Sequence, residues 1–330
     1  MEALIPDDAG GMRVAPVPAA HPGPGEVLVE VVAAGVNRAD ISQLAGHYPP
    51  PPGASPILGL EVAGRVAEVG AGVDEAWLGA PVCALLAGGG YARYVSVPAE
   101  MLMSIPGGWT FAEAAAFPET ALTAYLNLFL EAGLQSGERV LIHGGASGVG
   151  TAAIRQAKLA GATVAATAGG PEKVAVCRQQ GADLALDRHR GPWLEVLRAD
   201  LGAVDVILDM VGKDYLAPNI EALALGGRLV VISTLSGREA VLDLRALMLK
   251  RLRLVGSTLR GRPLAEKVRL VQAFMGQFGD VMAGELRPVM DTVFPWHQVG
   301  EAHGRLRRND SIGKFVLDMG GADATPGGGG

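Results

Sequence analysis

Between residue 25 and about residue 100, short apolar runs alternate with glycine- and proline-rich breaks. Val27–Ala34, Gly64–Val69, Pro81–Leu86 and Tyr91–Val97 read as strands of a β-rich unit. From Phe111 the pattern changes: Phe111–Phe117 and Ala121–Glu131 are helical in composition. Strands and helices then alternate through Arg139–His143, Thr151–Leu159, Thr163–Thr167, Pro171–Gln180, Val204–Asp209, Leu216–Ala224 and Arg228–Ile232. These strands are short and apolar without alternation, as expected when both faces of a sheet are covered. The alternation predicts an α/β chain with a doubly wound parallel sheet. After Leu254–Ser257 a long helix over Pro263–Phe278 leads to Val289–Val293, a helical His297–Arg307 and Lys314–Leu317. Such a segment is short for a third domain and is expected to return and complete the first one. No internal repeat is visible beyond the βα alternation.

The run Val140-Leu141-Ile142-His143 ends in Gly144-Gly145-Ala146-Ser147-Gly148-Val149-Gly150, and a helical stretch follows. A strand, a glycine turn and a helix start let a backbone approach a pyrophosphate and offer it helix N-terminal N–H groups. The spacing is Gly-x-x-Gly-x-Gly, so on its own the loop reads equally as a dinucleotide site or a tight turn. The next strand ends Thr167-Ala168-Gly169-Gly170 without the acid that holds a ribose 2′-hydroxyl, and Lys173 and Arg188 follow. A cation there favours a 2′-phosphate, hence NADPH (NADP) as cofactor. The competing reading is that both are solvated surface charges.

Composition narrows the class. The chain has 330 residues, 49% hydrophobic, with 47 glycines and 21 prolines, which fits two globular domains. A net charge of −6 argues against nucleic acid as a partner. Cys83 and Cys177 lie in no metal-ligand spacing and read as buried small side chains, so no metal is expected. No signal segment and no membrane-length apolar run is evident, which makes a reducing, cytoplasmic location the expectation. Residues 320–330, with four closing glycines, are expected to be disordered, as a frayed end or a linker scar.

Four stretches carry a resemblance: Asn37-Arg38-Ala39-Asp40 with Gly46–Ser55, Leu58-Gly59-Leu60-Glu61-Val62-Ala63-Gly64, the glycine loop, and Ile312–Leu317. Over Gly25–Leu317 the chain resembles the zinc-free quinone oxidoreductase branch of the medium-chain dehydrogenase/reductase superfamily, nearest its tumour-suppressor-inducible quinone oxidoreductase subgroup and bacterial relatives. The resemblance implies a GroES-like catalytic domain over 1–118 and 259–319 and a Rossmann nucleotide-binding domain over 119–258. Both ligands would share a cleft between them. Zinc enzymes of the superfamily have Gly-His-Glu where this chain has Gly59-Leu60-Glu61, a catalytic Cys near Asn37, and a four-cysteine lobe missing here. Leu60 cannot coordinate a metal.

By the same resemblance, Tyr48 lines the substrate pocket and Asn37 and Asp40 lie beside the nicotinamide. Thr123 faces its ribose or amide. Gly145, Ala146, Ser147, Gly148, Val149 and Gly150 cradle the pyrophosphate. Thr167, Gly169, Lys173 and Arg188 take the adenosine ribose side; Arg188 stands where the subgroup has Tyr. Ser233, Thr234 and Leu235 border the nicotinamide, and Asn309 and Lys314 approach the cofactor from the C-terminal return. A homodimer through the region Val241–Leu254 is implied as well. Each role has a plainer competitor. Asn37 and Asp40 suit a helix cap, Tyr48 a loop anchor, Glu61 a partner of Arg65 or a backbone group, and His143 packing at a strand end.

Without a Lewis acid, simple ketones and alcohols are poor substrates, and acceptors that take hydride readily fit better. The leading expectation is NADPH-dependent reduction of a quinone. The alternatives are reduction of an enone or enoyl thioester and, outside enzymes, a crystallin-like NADPH-binding structural protein.

Overall fold

A computed structural model describes residues 1–7 and 10–320, so most of the glycine-rich tail lies outside the described residues. The chain divides into two compact units. One comprises Met1–Thr120 and the chain from Arg260 onward; the other is Ala121–Leu259.

The first unit opens with a hairpin, β1 (Glu2–Pro6) and β2 (Met12–Pro16), which the hydrophobic pattern did not reveal. Then come β3 (Glu26–Val36), α1 (Arg38–Leu44), β4 (Glu61–Val69), β5 (Pro81–Leu85), β6 (Tyr94–Pro98), β7 (Leu102–Ser104), α2 (Phe111–Ala115) and the start of α3 (Pro118–Tyr125). β3 is the organising strand: β4, β6 and the later β15 all pair with it antiparallel. Its register on β4 shifts between Val31 and Ala33. Such an irregularity bends a strand and lets it serve different neighbours along its length.

The second unit is built on a six-stranded parallel sheet. Its elements are β8 (Arg139–His143), α4 (Gly148–Leu159), β9 (Thr163–Ala168), α5 (Pro171–Gln179), β10 (Leu184–Asp187), α6 (Trp193–Asp200), β11 (Val204–Asp209), α7 (Lys213–Ala222), β12 (Leu223–Val231), α8 (Leu244–Leu249) and β13 (Arg253–Gly256). The strand order β10-β9-β8-β11-β12-β13 is the doubly wound nucleotide-binding order, which reverses direction at β8. Alternate residues of each strand feed different cores. Val140, Ile142, Val206 and Leu208 pack with α4 and α5, whereas Leu141 and Ile207 pack with Trp193, Leu197 and Ile220. That two-sided burial is why the strands carry no polar alternation.

Three elements here depart from expectation. The stretch expected as one helix over Ala121–Glu131 is α3 followed by a π-helical segment, Leu126–Glu131. There Asn127 Nδ2 donates to the Thr123 carbonyl at 2.7 Å. A side chain bonded into the backbone ladder is a known cause of such widening. Helix α6 escaped the pattern because it buries only Trp193 and Leu197 amid charged residues. The edge strand covers only Arg253–Gly256, and the preceding apolar residues form α8.

The chain then returns to the first unit through α9 (Leu264–Phe278), α10 (Met282–Glu285), β14 (Met290–Pro295), α11 (Val299–Arg307) and β15 (Lys314–Asp318), with β15 parallel to β14 and antiparallel to β3. This is the expected completion of the first sheet. Among the described residues, no helix is long and apolar enough to cross a membrane.

Candidate functional site

In the second unit the glycine turn links β8 to α4. Ser147 is the N-cap, its hydroxyl accepting from the Gly150 amide at 3.0 Å. The N–H groups of Gly148 and Val149 precede the first intrahelical bond, so the helix start offers donors and a positive dipole end. Ser147, Gly148 and Val149 are half-exposed, whereas Gly145, Ala146 and Gly150 are buried. The glycines therefore divide the work. A Cβ on Gly150 would stand 2.2 Å from the Gly144 carbonyl oxygen, and one on Gly145 2.8 Å from both Ala166 Cβ and Cys177 Sγ. These two are needed for the turn to fold against its own helix and strand, not to clear a path for phosphate. The half-exposed residues of the turn are Gly144 and the 147–149 segment.

The end of β9 is held by an acid that sequence reasoning overlooked. Asp187, closing β10, accepts from the Gly170 amide at 2.9 Å and the His189 amide at 3.0 Å. These bonds hold its carboxyl below the usual range. Arg188 follows immediately, and its Nε lies 3.1 Å from where a Cβ on Gly169 would stand. Its guanidinium also hydrogen-bonds the Tyr215 hydroxyl. A guanidinium thus flanks the Gly169–Gly170 turn, and Lys173 lies in the first turn of the next helix.

Thr167 does not play its expected part. Its hydroxyl is buried and bonded to His143 Nδ1 at 2.9 Å. Asn219 Nδ2 donates to Asp209 Oδ2, so Asn219 Oδ1 accepts from His143 Nε2 at 2.8 Å and the Thr167 hydroxyl donates to Nδ1. Burial pushes His143 down to about 4, keeping it neutral. Asp209 in turn accepts from the Val211 and Gly212 amides. Three strand ends are thereby tied together: β8 by His143, β9 by Thr167 and β11 by Asp209. His143 is a buried polar strut, in line with its plainer reading. Thr123 is half-exposed on α3, Ser233 is half-buried beyond β12, and Thr234 and Leu235 are exposed there.

The first unit gathers a second polar cluster. Asn37 precedes α1, and its amide donates to Asp40 Oδ2 at 2.7 Å, the reciprocal half of a cap. Asp40 is fully buried and also accepts from Tyr91 Oη at 3.0 Å and the Gly59 amide at 3.2 Å. Burial pushes its carboxyl up to about 6 despite these bonds. Asp40 is thus committed to tying α1 to the Gly59 turn, which supports the capping role over a contact with nicotinamide.

Glu61, fully buried, pairs with Lys314 rather than Arg65. Its Oε1 accepts from Lys314 Nζ at 2.6 Å and Asn37 Nδ2 at 2.8 Å, and its Oε2 from the Glu119 amide at 2.9 Å. Lys314 Nζ also donates to the Val36 carbonyl and to Asn37 Oδ1. The ammonium expected to approach a cofactor is therefore satisfied inside the unit by three oxygens. Gly35 makes room for this, because a Cβ there would stand 2.2 Å from Glu61 Oε1. Asn309, in left-handed backbone, accepts from Arg38. Tyr48 is half-buried under the Arg260 guanidinium, 5.4 Å from its ring centre. Arg260 also donates to the Tyr48 and Ala87 carbonyls and to Gln43 Oε1. Arg260 went unnoticed in the sequence, where it reads as one more loop arginine.

Comparison with known proteins fits both units. The family described as "Alcohol dehydrogenase GroES-like domain" matches residues 23–107, and "Zinc-binding dehydrogenase" matches residues 148–274. A quinone oxidoreductase of Lama guanicoe is 30% identical over 329 residues, covering 96% of this chain and 97% of that one. The chain belongs to the medium-chain dehydrogenase/reductase superfamily. Among solved members of this superfamily, the quinone oxidoreductase from Thermus thermophilus, solved also with NADPH, is 32% identical with a TM-score of 0.81, covering 97% of this chain and 100% of that one. The CurK enoyl reductase is 27% identical with a TM-score of 0.84, covering 96% and 98%. Other proteins that the chain matches are much longer: it is 30% identical to, and spans 15% of, a mycocerosic acid synthase-like polyketide synthase of Mycobacterium tuberculosis.

The zinc named for part of the superfamily does not fit these residues. Among the described residues no group of three or more His, Cys, Asp or Glu could hold a metal ion. Leu60 is apolar and buried where a ligand would stand, and Glu61 is already neutralised by Lys314. A dinucleotide does fit: outward amides at a helix start, a glycine-ended second strand and a flanking guanidinium are the donor set it requires.

Proposed function

We propose that this chain is an NADPH-dependent, zinc-independent reductase whose acceptor is a quinone. The observation that carries the cofactor choice is Arg188 beside the Gly169–Gly170 turn, where β9 ends without an acid of its own and Asp187 is bonded to the Gly170 and His189 amides, with Lys173 on the following helix. The Thermus relative's complex with NADPH supports it. The Gly148 and Val149 amides would hold the pyrophosphate, and Arg188 with Lys173 the 2′-phosphate. Bound NADPH supplies a hydride. The protein adds position and a field, and Tyr48, fixed by Arg260, would line the acceptor's pocket. The likeness to two quinone oxidoreductases supports that choice of acceptor.

A second reading, reduction of an enone or enoyl thioester, is favoured by the likeness to the CurK enoyl reductase. Steady-state rates with an ortho-quinone and with crotonyl-CoA separate the two. Turnover of the thioester alone would replace the first reading by the second. Tight NADPH binding without oxidation by any quinone or enone would instead favour the structural-protein alternative.

Arg188→Ala tests the cofactor choice. It is expected to raise the KM for NADPH about tenfold, the worth of one partly exposed charge-assisted hydrogen bond of ~1.4 kcal/mol, and to leave that for NADH unchanged. Equal effects on both cofactors would remove Arg188 from the 2′-phosphate.

We further infer a homodimer. Val241, Leu244, Met248 and Leu249 stand 91%, 68%, 68% and 62% exposed ahead of the edge strand β13, which among the described residues pairs with β12 alone. An apolar patch next to an open strand edge is a surface that soluble chains cover. Light scattering after size exclusion should give twice the chain mass. Val241→Asp with Leu249→Asp should halve it, and a monomeric wild type would refute the inference.

A further inference from the structure

Glu119 has no part in the activity as described so far, yet its setting is unusual for a carboxyl group. It lies in the first turn of α3. Its amide is spent on Glu61, but its own Oε2 is buried and has no hydrogen-bond partner. The residue as a whole remains partly exposed, although this oxygen is buried. A buried acceptor left unpaired is costly for a carboxylate and much less so for a neutral acid.

The charged and titratable groups around it are Glu61 on β4, Asp40 on α1, Lys314 on β15, Arg260 and Lys267 of the C-terminal return, and Tyr48 on the loop after α1. The three cations are committed elsewhere. Arg260 bonds Ala87, Tyr48 and Gln43, and Lys267 Nζ donates to the Arg260 carbonyl at 3.3 Å. Lys314 belongs to Glu61. No ion pair is formed with Glu119 among the described residues, although it stands in a ring of charges. Burial first, then the Glu61 and Asp40 carboxylates, push its carboxyl up to about 8, against the opposing pull of Lys314 and Arg260. At neutral pH it therefore carries a proton. Its charge, when present, raises Tyr48, so the two groups share one field.

We propose that Glu119 is the proton donor to the acceptor as it is reduced. The inference rests on the reductase reading above. The acceptor gains a hydride from NADPH and one proton. The Glu119 O–H bond breaks as a new bond to hydrogen forms on the acceptor's oxygen or α-carbon, and the carboxylate left behind regains its proton from water. Neither quinone nor enone can be reduced by hydride alone to a neutral product, so a donor is required. A carboxyl held neutral near pH 7 suits that task.

The test compares wild type, Glu119→Gln and Glu119→Asp, each with NADPH and whichever acceptor the wild type reduces. Wild-type kcat should fall as pH rises through about 8, because the acid form is then lost. Glu119→Gln, of nearly equal shape, should lower kcat about 100-fold or more and abolish that alkaline limb, with KM for NADPH and the thermal midpoint little changed. Glu119→Asp should recover part of the rate and retain a limb. Infrared spectra without cofactor give a readout independent of turnover: a protonated carboxyl band at pH 7 in the wild type, lost in Glu119→Gln. A Gln variant with wild-type kcat and pH profile overturns the proposal while the reductase reading stands. So does an infrared band indifferent to the substitution. A wild type that oxidises no NADPH with any quinone or enone overturns the reductase reading and this proposal with it.

Discussion

Alanine at Gly150 will weaken NADPH binding by about 10- to 100-fold, more than any change to a single contacting side chain in the nucleotide unit. The added Cβ would meet the Gly144 carbonyl oxygen at 2.2 Å and Gly145 Cα at 2.7 Å. Both are backbone, so no side chain can swing aside. The turn must open, and the Gly148 and Val149 amides are then no longer aimed as a set. Overpacking of this kind costs ~1–3 kcal/mol, and each 1.4 kcal/mol that falls on the bound geometry is a factor of ten in affinity. Titration of NADPH fluorescence against wild type and Gly150→Ala measures it. A control at Gly148, a helix position with a half-exposed backbone, should be milder for folding. Affinity within twofold of wild type in Gly150→Ala would show that the turn tolerates the intrusion and that its geometry is not what binds the dinucleotide.

The second large effect concerns stability. Lys314→Met is expected to destabilise the fold by ~3–5 kcal/mol, the usual consequence of removing one partner from a buried ion pair. Lys314 and Glu61 are 4% and 0% exposed, and without the ammonium Glu61 keeps only Asn37 Nδ2 and the Glu119 amide as donors. At ~2–4 °C per kcal/mol the thermal midpoint should drop by about 10 °C. Adding Glu61→Gln to Lys314→Met removes the stranded charge and should recover part of the loss, as a double-mutant cycle would show. Lys314 also lowers both Asp40 and Glu119. Its removal should therefore move the alkaline limb assigned to Glu119 to higher pH. A Lys314→Met variant with an unchanged midpoint would mean that water reaches Glu61 and that the pair is not a buried one.

Much of this architecture was legible in the chain itself. Non-alternating apolar strands separated by helices announced a sheet covered on both faces, and Val140–Ile142 and Val206–Leu208 supply its two cores as that pattern requires. The glycine turn after β8 pointed to a dinucleotide because a strand–glycine–helix order can present free amides at short range, although by itself it read equally as a tight turn. Leu60 excluded a zinc ligand from its side chain alone. Short, charge-rich α6 and the β1–β2 hairpin were not legible, since neither shows a periodic apolar face long enough to stand out.

What only the tertiary structure decided is the partnering of charged and polar groups. Lys314 and Glu61 are 253 residues apart, and Arg260 lies 212 residues from Tyr48. No local spacing announces such pairs. Their meeting moved Lys314 from cofactor contact to buried counter-ion, Thr167 from ligand contact to strut, and Gly145 and Gly150 from phosphate clearance to packing. It also left a carboxyl oxygen of Glu119 buried without a hydrogen-bond partner. The hydrophobic pattern is written locally because burial depends on the face of each element. Electrostatic roles depend on distance in space, and the folded chain alone sets those distances.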